Sequence, residues 1–255
     1  MRMAVVSRPW EGTVNLTASW LASSGRRVCP GPIPVLAVEA VKIHEGQDVL
    51  RGGAPLKGAR AAIVLLHGRG ASAEDIYPLG GEVSDGVPGV ALLAPQAAGN
   101  AWYPQRFLAP LEQNEPYLTS ALGVVAGLVG DLAKAGIPPE RVVLAGFSQG
   151  ACLILEFAAR NARRYGGVAA LSGALIGPPG GMRNDSGDLA GTPAYLGCSD
   201  RDFHIPLASV EESAEILRGL GARVTKSIFP GMGHTVNAEE LAAVRQLVAA
   251  VAAGA

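Results

Sequence analysis

Residues 141–152, RVVLAGFSQGAC, predict a buried strand, a sharp turn and a helix, with a serine at the tip of the turn. The apolar run 142–145 is typical of a strand, and a helical pattern follows the turn. Gly146 and Gly150 flank the serine because a strained turn leaves no room there for side chains. This geometry would lift the Ser148 hydroxyl into a cleft at the carboxyl edge of a sheet, in front of the free N–H groups of the helix N-terminus.

The G-x-S-x-G pattern by itself is weak evidence in a chain this rich in glycine. With 34 glycines among 255 residues, chance supplies the pattern in roughly one of four such chains. An ordinary Gly-Ser turn is therefore the alternative interpretation. The strand before the turn and the helix after it favour a nucleophile turn, and the partner residues must decide.

Short apolar runs alternate with helical patterns on both sides of this stretch. Strands are predicted at 61–66, 90–94, 167–171, 193–197 and 223–229. Helices are predicted from residue 72 or 73 onward and at 118–135, 210–220 and 238–253. This alternation predicts an α/β fold with a mostly parallel central sheet and helices on both faces.

The first 35 residues differ from the rest because they show no clear period and end in a cluster of prolines. We expect residues 1–35 to form an N-terminal extension and residues 36–255 to form the α/β domain. Segments 37–41 and 48–51 are candidate edge strands of that domain.

Composition excludes several classes of protein. The formal net charge is −1 and no basic stripe is present, so nucleic acid is not an expected partner. No uninterrupted apolar run reaches the length of a membrane span, so stable membrane insertion is not expected. Three cysteines without metal-ligand spacing predict neither a metal site nor a disulfide framework, which favours the cytoplasm. No cofactor is expected, and a homodimer remains open.

A serine nucleophile needs a base and an acid that orients the base. His234 lies on a glycine-rich loop after the last strand, at the edge of the sheet that Ser148 would share. Asp200 and Asp202 both follow the strand at 193–197, so the order along the chain is Ser, Asp, His. Spacing from that strand leaves both aspartates open as the acid. His44 and His204 carry no functional signal.

Two backbone N–H groups would have to stabilise an oxyanion. One is expected from Gln149, directly after the nucleophile, and the other from Arg69 in the loop after the strand at 61–66. The Arg69 side chain is expected to be a solvated surface cation. His67 is expected to stabilise this loop, although a role as the base is the alternative.

The long connection at 97–118 is the candidate acyl-binding segment. It carries Trp102, Phe107 and Leu108, which we expect to line the acyl site. Plain packing over the sheet is the alternative interpretation of these three side chains.

Five short motifs carry a resemblance to a known family. They are LLHGRG at 65–70, APQ at 94–96 with Trp102, GFSQG at 146–150, DFHIP at 202–206 and GH at 233–234. With these motifs the chain resembles the phospholipase/carboxylesterase family of α/β-hydrolases, which includes acyl-protein thioesterases. The resemblance implies the α/β-hydrolase fold, a Ser148–Asp202–His234 triad, and an oxyanion hole formed by the Arg69 and Gln149 amides. The chain departs from the family at residues 1–35, which are extra, and at Phe203, where proline is common.

The expected activity is that of a serine carboxylesterase, which hydrolyses short- to medium-chain acyl esters through an acyl-enzyme on Ser148. The resemblance adds lysophospholipids and acyl thioesters as alternative substrates. A dienelactone-hydrolase-like activity is a further alternative, although such enzymes typically carry a cysteine at this turn. The non-enzymatic alternative is a binding protein that keeps the fold. The intact serine, aspartate and histidine argue against this alternative. The residues leave the natural substrate and acyl length open.

Overall fold

The computed structural model describes residues 42–183, 185 and 187–254. The predicted extension at 1–35 and the candidate strand at 37–41 lie outside the described residues. The other candidate edge strand is confirmed, with bounds shifted to Val49–Gly53.

A central sheet of seven strands organises the described part of the chain, in the spatial order β1-β3-β2-β4-β5-β6-β7. The edge strand β1 runs antiparallel to β3, and all other neighbours are parallel. The strands are β1 Val49–Gly53, β2 Ala61–Leu66, β3 Val90–Pro95, β4 Val142–Phe147, β5 Gly167–Leu171, β6 Pro193–Ser199 and β7 Arg223–Phe229. The predicted mostly parallel sheet is therefore confirmed.

Helices cover both faces of the sheet. They are α1 Ala73–Ser84, α2 Tyr117–Lys134, α3 Gln149–Arg160, α4 Leu207–Gly219 and α5 Ala238–Ala253. The alternating side chains of β2 show the two layers. Ala62, Val64 and Leu66 belong to the core formed with α2, α3 and α4. Their neighbours in sequence point the other way, into the core formed with α1 and α5. A strand buried on both faces needs a continuous apolar sequence, which explains the run at 61–66.

Helix α2 is long and apolar enough to span a membrane by length and composition. In the fold it is a core helix, because one face buries Leu118, Val125 and Leu132 against the sheet and its neighbours. The other face is partly exposed. The hydropathy of α2 therefore follows from packing in the domain.

The start of α5 contains a buried carboxyl group. Asn237 Oδ1 accepts from the Glu240 N–H at 2.9 Å, and Glu240 Oε2 accepts from the Asn237 N–H at 2.9 Å. Glu240 Oε1 is buried without a hydrogen-bond partner among the described residues. It packs so closely on Gly197 that a side chain there would not fit. Burial raises the pKa of Glu240 from 4.5 to about 7.

Glu240→Gln should make the protein more stable than the parent at high pH. Below pH 4.5 the Glu240 carboxyl is neutral in both the folded and the unfolded state, so it adds no pH dependence. Between pH 4.5 and about 7 only the unfolded state ionises, so the parent loses stability as pH rises, and above about 7 the penalty is constant. The full difference should be on the order of 3 kcal/mol.

Guanidinium unfolding of both proteins at pH 5, 6, 7 and 8 measures this difference. Glu239→Gln is the matched control, because Glu239 is an exposed neighbour on the same turn of α5. Its curve should run parallel to that of the parent. A Glu240→Gln curve that is also parallel to the parent would show that the Glu240 carboxyl ionises equally in both states.

Candidate active site

Ser148 occupies the sharp turn between β4 and α3 with φ 54° and ψ −118°, a conformation rare for a residue with a side chain. Close backbone packing holds it there. A Cβ on Gly146 would lie 2.6 Å from the Gly150 carbonyl carbon, and a Cβ on Gly150 would collide with the Leu66 carbonyl group. The Ser148 N–H donates to the Leu171 carbonyl oxygen at 3.0 Å. Both glycines are therefore required, as the sequence predicts.

The structure brings Ser148, His234 and Asp202 into one hydrogen-bonded chain. His234 Nε2 lies 2.8 Å from Ser148 Oγ, and His234 Nδ1 lies 2.6 Å from Asp202 Oδ2. An ionised carboxylate only accepts, so Nδ1 carries the hydrogen and Nε2 is left to accept from the serine hydroxyl. Asp202 follows β6 and His234 follows β7, so neighbouring parallel strands deliver both groups to one edge of the sheet.

Asp202 is held in its ionised form. Its side chain is 0 % exposed, and burial alone would raise its pKa. The hydrogen bonds from His234 and from the His204 and Ile205 N–H groups, at 2.8 and 3.0 Å to Oδ1, outweigh burial and lower the pKa. Phe203 does not disturb this loop because its side chain is 91 % exposed.

Asp200 braces the loop that carries His234. Its Oδ1 accepts from the Gly231 N–H at 2.7 Å, and the neighbouring Ser199 Oγ accepts from the Gly233 N–H at 3.1 Å. The hydrogen-bond partner of Asp200 lies 31 residues further along the chain. Of the two candidate aspartates, the structure places Asp202 against the imidazole and Asp200 under its loop.

The two predicted oxyanion donors lie beside Ser148. The backbone N–H groups of Arg69 and Gln149 have no hydrogen-bond partner among the described residues, and both residues line the cleft at Ser148. The Gly70 N–H donates to the Asn100 carbonyl oxygen at 2.7 Å and fixes the turn that carries Arg69. Two free donors beside a nucleophile are what an oxyanion requires.

The side chains of the same two residues hold the loop at 97–107. Gln149 Oε1 accepts from the Trp102 N–H at 2.9 Å, and Gln149 Nε2 donates to the Tyr103 carbonyl oxygen at 2.8 Å. The Arg69 guanidinium donates to the carbonyl oxygens of Pro104 and Gln105 at 2.9 and 2.5 Å. Arg69 is exposed, as expected of a surface cation, and its guanidinium is in addition hydrogen-bonded to this loop.

Two buried histidines support the loop from below. His67 Nε2 accepts from the Ala97 N–H at 3.1 Å, so Nδ1 is the protonated nitrogen and donates to the Gly68 carbonyl oxygen at 2.8 Å. His44 has the opposite tautomer, accepting from the Ala98 N–H at Nδ1 and donating from Nε2 to the Trp102 carbonyl oxygen. Burial lowers the pKa of both rings and keeps them neutral. His67 thus matches its predicted loop-stabilising role, whereas the role of His44 was missed because no motif surrounds it.

A cleft of about 320 Å³ opens in front of Ser148. Its lining includes Phe107, as predicted, together with Phe147 and Ile205. Trp102 does not line the cleft, because its side chain is 0 % exposed and its indole N–H donates to the His67 carbonyl oxygen at 2.9 Å. Leu108 lines a separate cavity of about 180 Å³. The prediction that Trp102 and Leu108 line the acyl site is therefore wrong.

This fold and site define a serine hydrolase of the α/β-hydrolase class. A nucleophile, a base oriented by a buried carboxylate, and two free N–H donors meet at one cleft. No group of three or more histidine, cysteine or acidic side chains that could hold a metal ion occurs among the described residues.

The chain belongs to the phospholipase/carboxylesterase family, whose model matches residues 53–252. The crystal structure of a phospholipase/carboxylesterase from Dyadobacter fermentans is 41 % identical, covers 82 % of this chain and 99 % of that one, and superposes with a TM-score of 0.77. The esterase PE8 is 26 % identical, with a TM-score of 0.66 and coverage of 80 % and 99 %. The predicted family, fold class and serine-hydrolase assignment are therefore confirmed.

Relatives with named activities match over shorter segments. Acyl-protein thioesterase 1 of Gibberella zeae is 36 % identical over 121 residues, which are 45 % of this chain and 49 % of that protein. Lysophospholipase-like protein 1 of Mus musculus is 28 % identical over 145 residues, which are 56 % and 60 % of the two chains. The matched segments thus span about half of these relatives' lengths.

Amide substitution should separate the two aspartates. Asp202→Asn would offer an amide where the His234 N–H needs an acceptor, which costs on the order of 10⁴ in kcat in a serine protease. Asp200→Asn keeps an oxygen for the Gly231 N–H, so kcat should stay within roughly tenfold and stability should fall by about 1 kcal/mol at most. Steady-state ester hydrolysis and guanidinium unfolding measure the two effects. A collapse of kcat in Asp200→Asn with an active Asp202→Asn would exchange the two roles.

Proposed function

We propose that this protein is a carboxylesterase that cleaves short- to medium-chain acyl esters through an acyl-enzyme on Ser148. The observation that supports this most strongly is the unbroken chain from Ser148 Oγ through His234 to Asp202, at 2.8 and 2.6 Å. The nucleophile and the base are in hydrogen-bond contact, so little rearrangement is needed before attack.

Acylation uses each of these groups, and His234 acts twice, first as the base and then as the acid. His234 Nε2 removes the Ser148 hydroxyl proton as Oγ bonds to the ester carbonyl carbon, and the Arg69 and Gln149 N–H groups stabilise the oxyanion. Collapse of the tetrahedral intermediate breaks the bond to the alkoxy oxygen, which receives the proton from His234. The buried Asp202 carboxylate stabilises the imidazolium between these two transfers.

Deacylation repeats the sequence with water in place of serine. His234 takes a proton from water, the hydroxide oxygen bonds to the acyl carbon, and the carboxylic acid leaves as Ser148 recovers its proton. The net reaction is ester plus water to acid plus alcohol, and the chain's own groups supply every proton transfer.

The size and lining of the cleft support short and medium acyl groups. A volume of about 320 Å³ lies at the small end of the range for ligand sites. Phe107, Phe147 and Ile205 provide apolar walls beside Ser148. Long acyl chains would extend past these walls into solvent.

Acyl thioesters and lysophospholipids are the second class of candidate substrates. Support comes from the names of two relatives, an acyl-protein thioesterase and a lysophospholipase-like protein. The same nucleophile and oxyanion donors would serve a thioester, so kcat/KM for a matched butyryl ester and butyryl thioester would rank the two classes. A cysteine-dependent lactonase mechanism is disfavoured because burial raises the pKa of Cys152 to about 12, which keeps its thiol protonated.

Ser148→Ala should fold normally and lose p-nitrophenyl butyrate hydrolysis by several orders of magnitude. A fluorophosphonate should label Ser148 in the parent and leave the variant unlabelled, as intact-mass and peptide mass spectrometry would show. Ser84→Ala is the control, since Ser84 lies at the end of α1 and its hydroxyl donates to carbonyl oxygens of its own helix. Turnover by Ser148→Ala at the rate of the Ser84→Ala control would refute the acyl-enzyme mechanism.

A further inference from the structure

The cleft in front of Ser148 is lined by two arginines without acidic counterparts. Arg69, Arg106 and His204 line it together with His234, and no aspartate or glutamate of the described residues does. The acid at the site, Asp202, is buried behind His234 with its oxygens already occupied. A bound substrate therefore meets positive charge on the walls of the cleft and negative charge only behind the imidazole.

Arg106 carries a charge that no carboxylate among the described residues neutralises. It forms no ion pair within the described ranges 42–183, 185 and 187–254, and its side chain is exposed at the cleft. The Arg69 guanidinium also lacks a carboxylate partner, because its hydrogen bonds end on carbonyl oxygens. Carbonyl dipoles satisfy its donors but leave its unit charge in place.

The backbone beneath Arg106 is held at several points. The buried Asn114 side chain accepts from the Gln105 N–H at 2.8 Å and donates to the Arg106 carbonyl oxygen at 3.4 Å. The Ala109 N–H donates to the same carbonyl at 3.0 Å, and the Phe107 carbonyl accepts from the Gly177 N–H at 2.7 Å. Arg106 is thus presented from a fixed main chain, which lowers the entropy lost when it binds a ligand.

His204 adds a hydrogen-bonding ring to the lining, on the loop that follows β6. Its ring lies 4.7 Å from the His234 ring, centroid to centroid, at an interplanar angle of 56°. Its backbone N–H is tied to Asp202 at 2.8 Å, so the ring is carried by the same loop that orients the base. An imidazole offers an N–H donor in either protonation state.

We propose that the enzyme selects esters that carry an anionic group, a carboxylate or a phosphate, a few atoms from the scissile carbonyl. Arg106 is the principal recognition residue, Arg69 contributes positive potential, and His204 contributes an N–H donor. The inference rests on the proposed esterase function and names the substrate class of that same site. A guanidinium that is not already paired binds oxyanions with two N–H donors, which gives orientation as well as attraction.

Two matched substrate pairs test this preference. Monomethyl glutarate and dimethyl glutarate differ by a carboxylate on the acyl side. 1-Butyrylglycerol 3-phosphate and 1-butyrylglycerol differ by a phosphate on the leaving alcohol. For each pair the measured quantity is kcat/KM for the anionic ester divided by kcat/KM for the neutral ester, at low ionic strength. The parent should give a ratio above one in at least one pair, and that pair identifies the anion and the side on which it binds.

The variants assign the preference to Arg106. Arg106→Gln should lower the ratio by roughly 2- to 5-fold, mainly through KM of the anionic ester, as expected for one exposed ionic contact. Arg106→Lys should retain part of the ratio, and added salt should lower the ratio in the parent more than in Arg106→Gln. Arg141→Gln is the matched control, because Arg141 is an exposed arginine before β4, at the edge of the sheet opposite Ser148. Its ratio should equal that of the parent.

The outcomes distinguish this inference from the proposed function. Efficient turnover of both neutral esters with ratios at or below one would overturn the anion preference and leave the esterase intact. Equal ratios in the parent and Arg106→Gln would overturn the role of Arg106. Failure to hydrolyse any of the four esters, with no fluorophosphonate labelling of Ser148, would contradict the proposed function itself.

Discussion

The approach of the first turn of α3 to the end of β2 is the constraint on which the site depends. Gly150 lies so close to the Leu66 carbonyl group that no side chain fits between them, and Gly146 meets Gly150 in the same way. This contact forces the intervening residues into a tight turn and holds Ser148 at positive φ. The strain is sustained by burial, because β4 and α3 lie within the core on either side of the turn.

The residues around the nucleophile each serve the chemistry and the architecture at once. Gln149 and Arg69 offer free backbone N–H groups to the cleft while their side chains fix the loop at 97–107. That loop in turn forms the wall that holds Phe107 and Arg106. Substrate wall and oxyanion donors are therefore built from a single hydrogen-bonded unit, so a change in one propagates to the other.

Most of the fold, and the polar centre of the site, follow from the sequence because they depend on regular periods and fixed motifs. The strands at 61–66, 167–171 and 223–229 have the predicted bounds. The first two are buried along their whole length, and a continuous apolar run marks a strand of that kind in the sequence. The loop at 97–118 has no period, so sequence cannot tell which side chains face the cleft. The prediction that Trp102 and Leu108 line the cleft failed for that reason. Trp102 is buried, and Leu108 lines a separate cavity. The hydrogen bond between the Gly231 N–H and Asp200 depends on how β6 and β7 align, and local sequence does not encode that alignment.

The catalytic residues lie far apart in the sequence, so the active site is complete only when the whole sheet has folded. Ser148 and His234 are 86 residues apart, and the histidine follows β7, the edge strand and the last strand of the sheet to be synthesised. A chain that has assembled only β1 to β5 can form the strained serine turn but has no imidazole beside it. In such an intermediate the Ser148 hydroxyl has no base beside it and is a poor nucleophile. Nascent or incompletely assembled molecules are thereby unable to attack esters in their surroundings until the final parallel strand has docked.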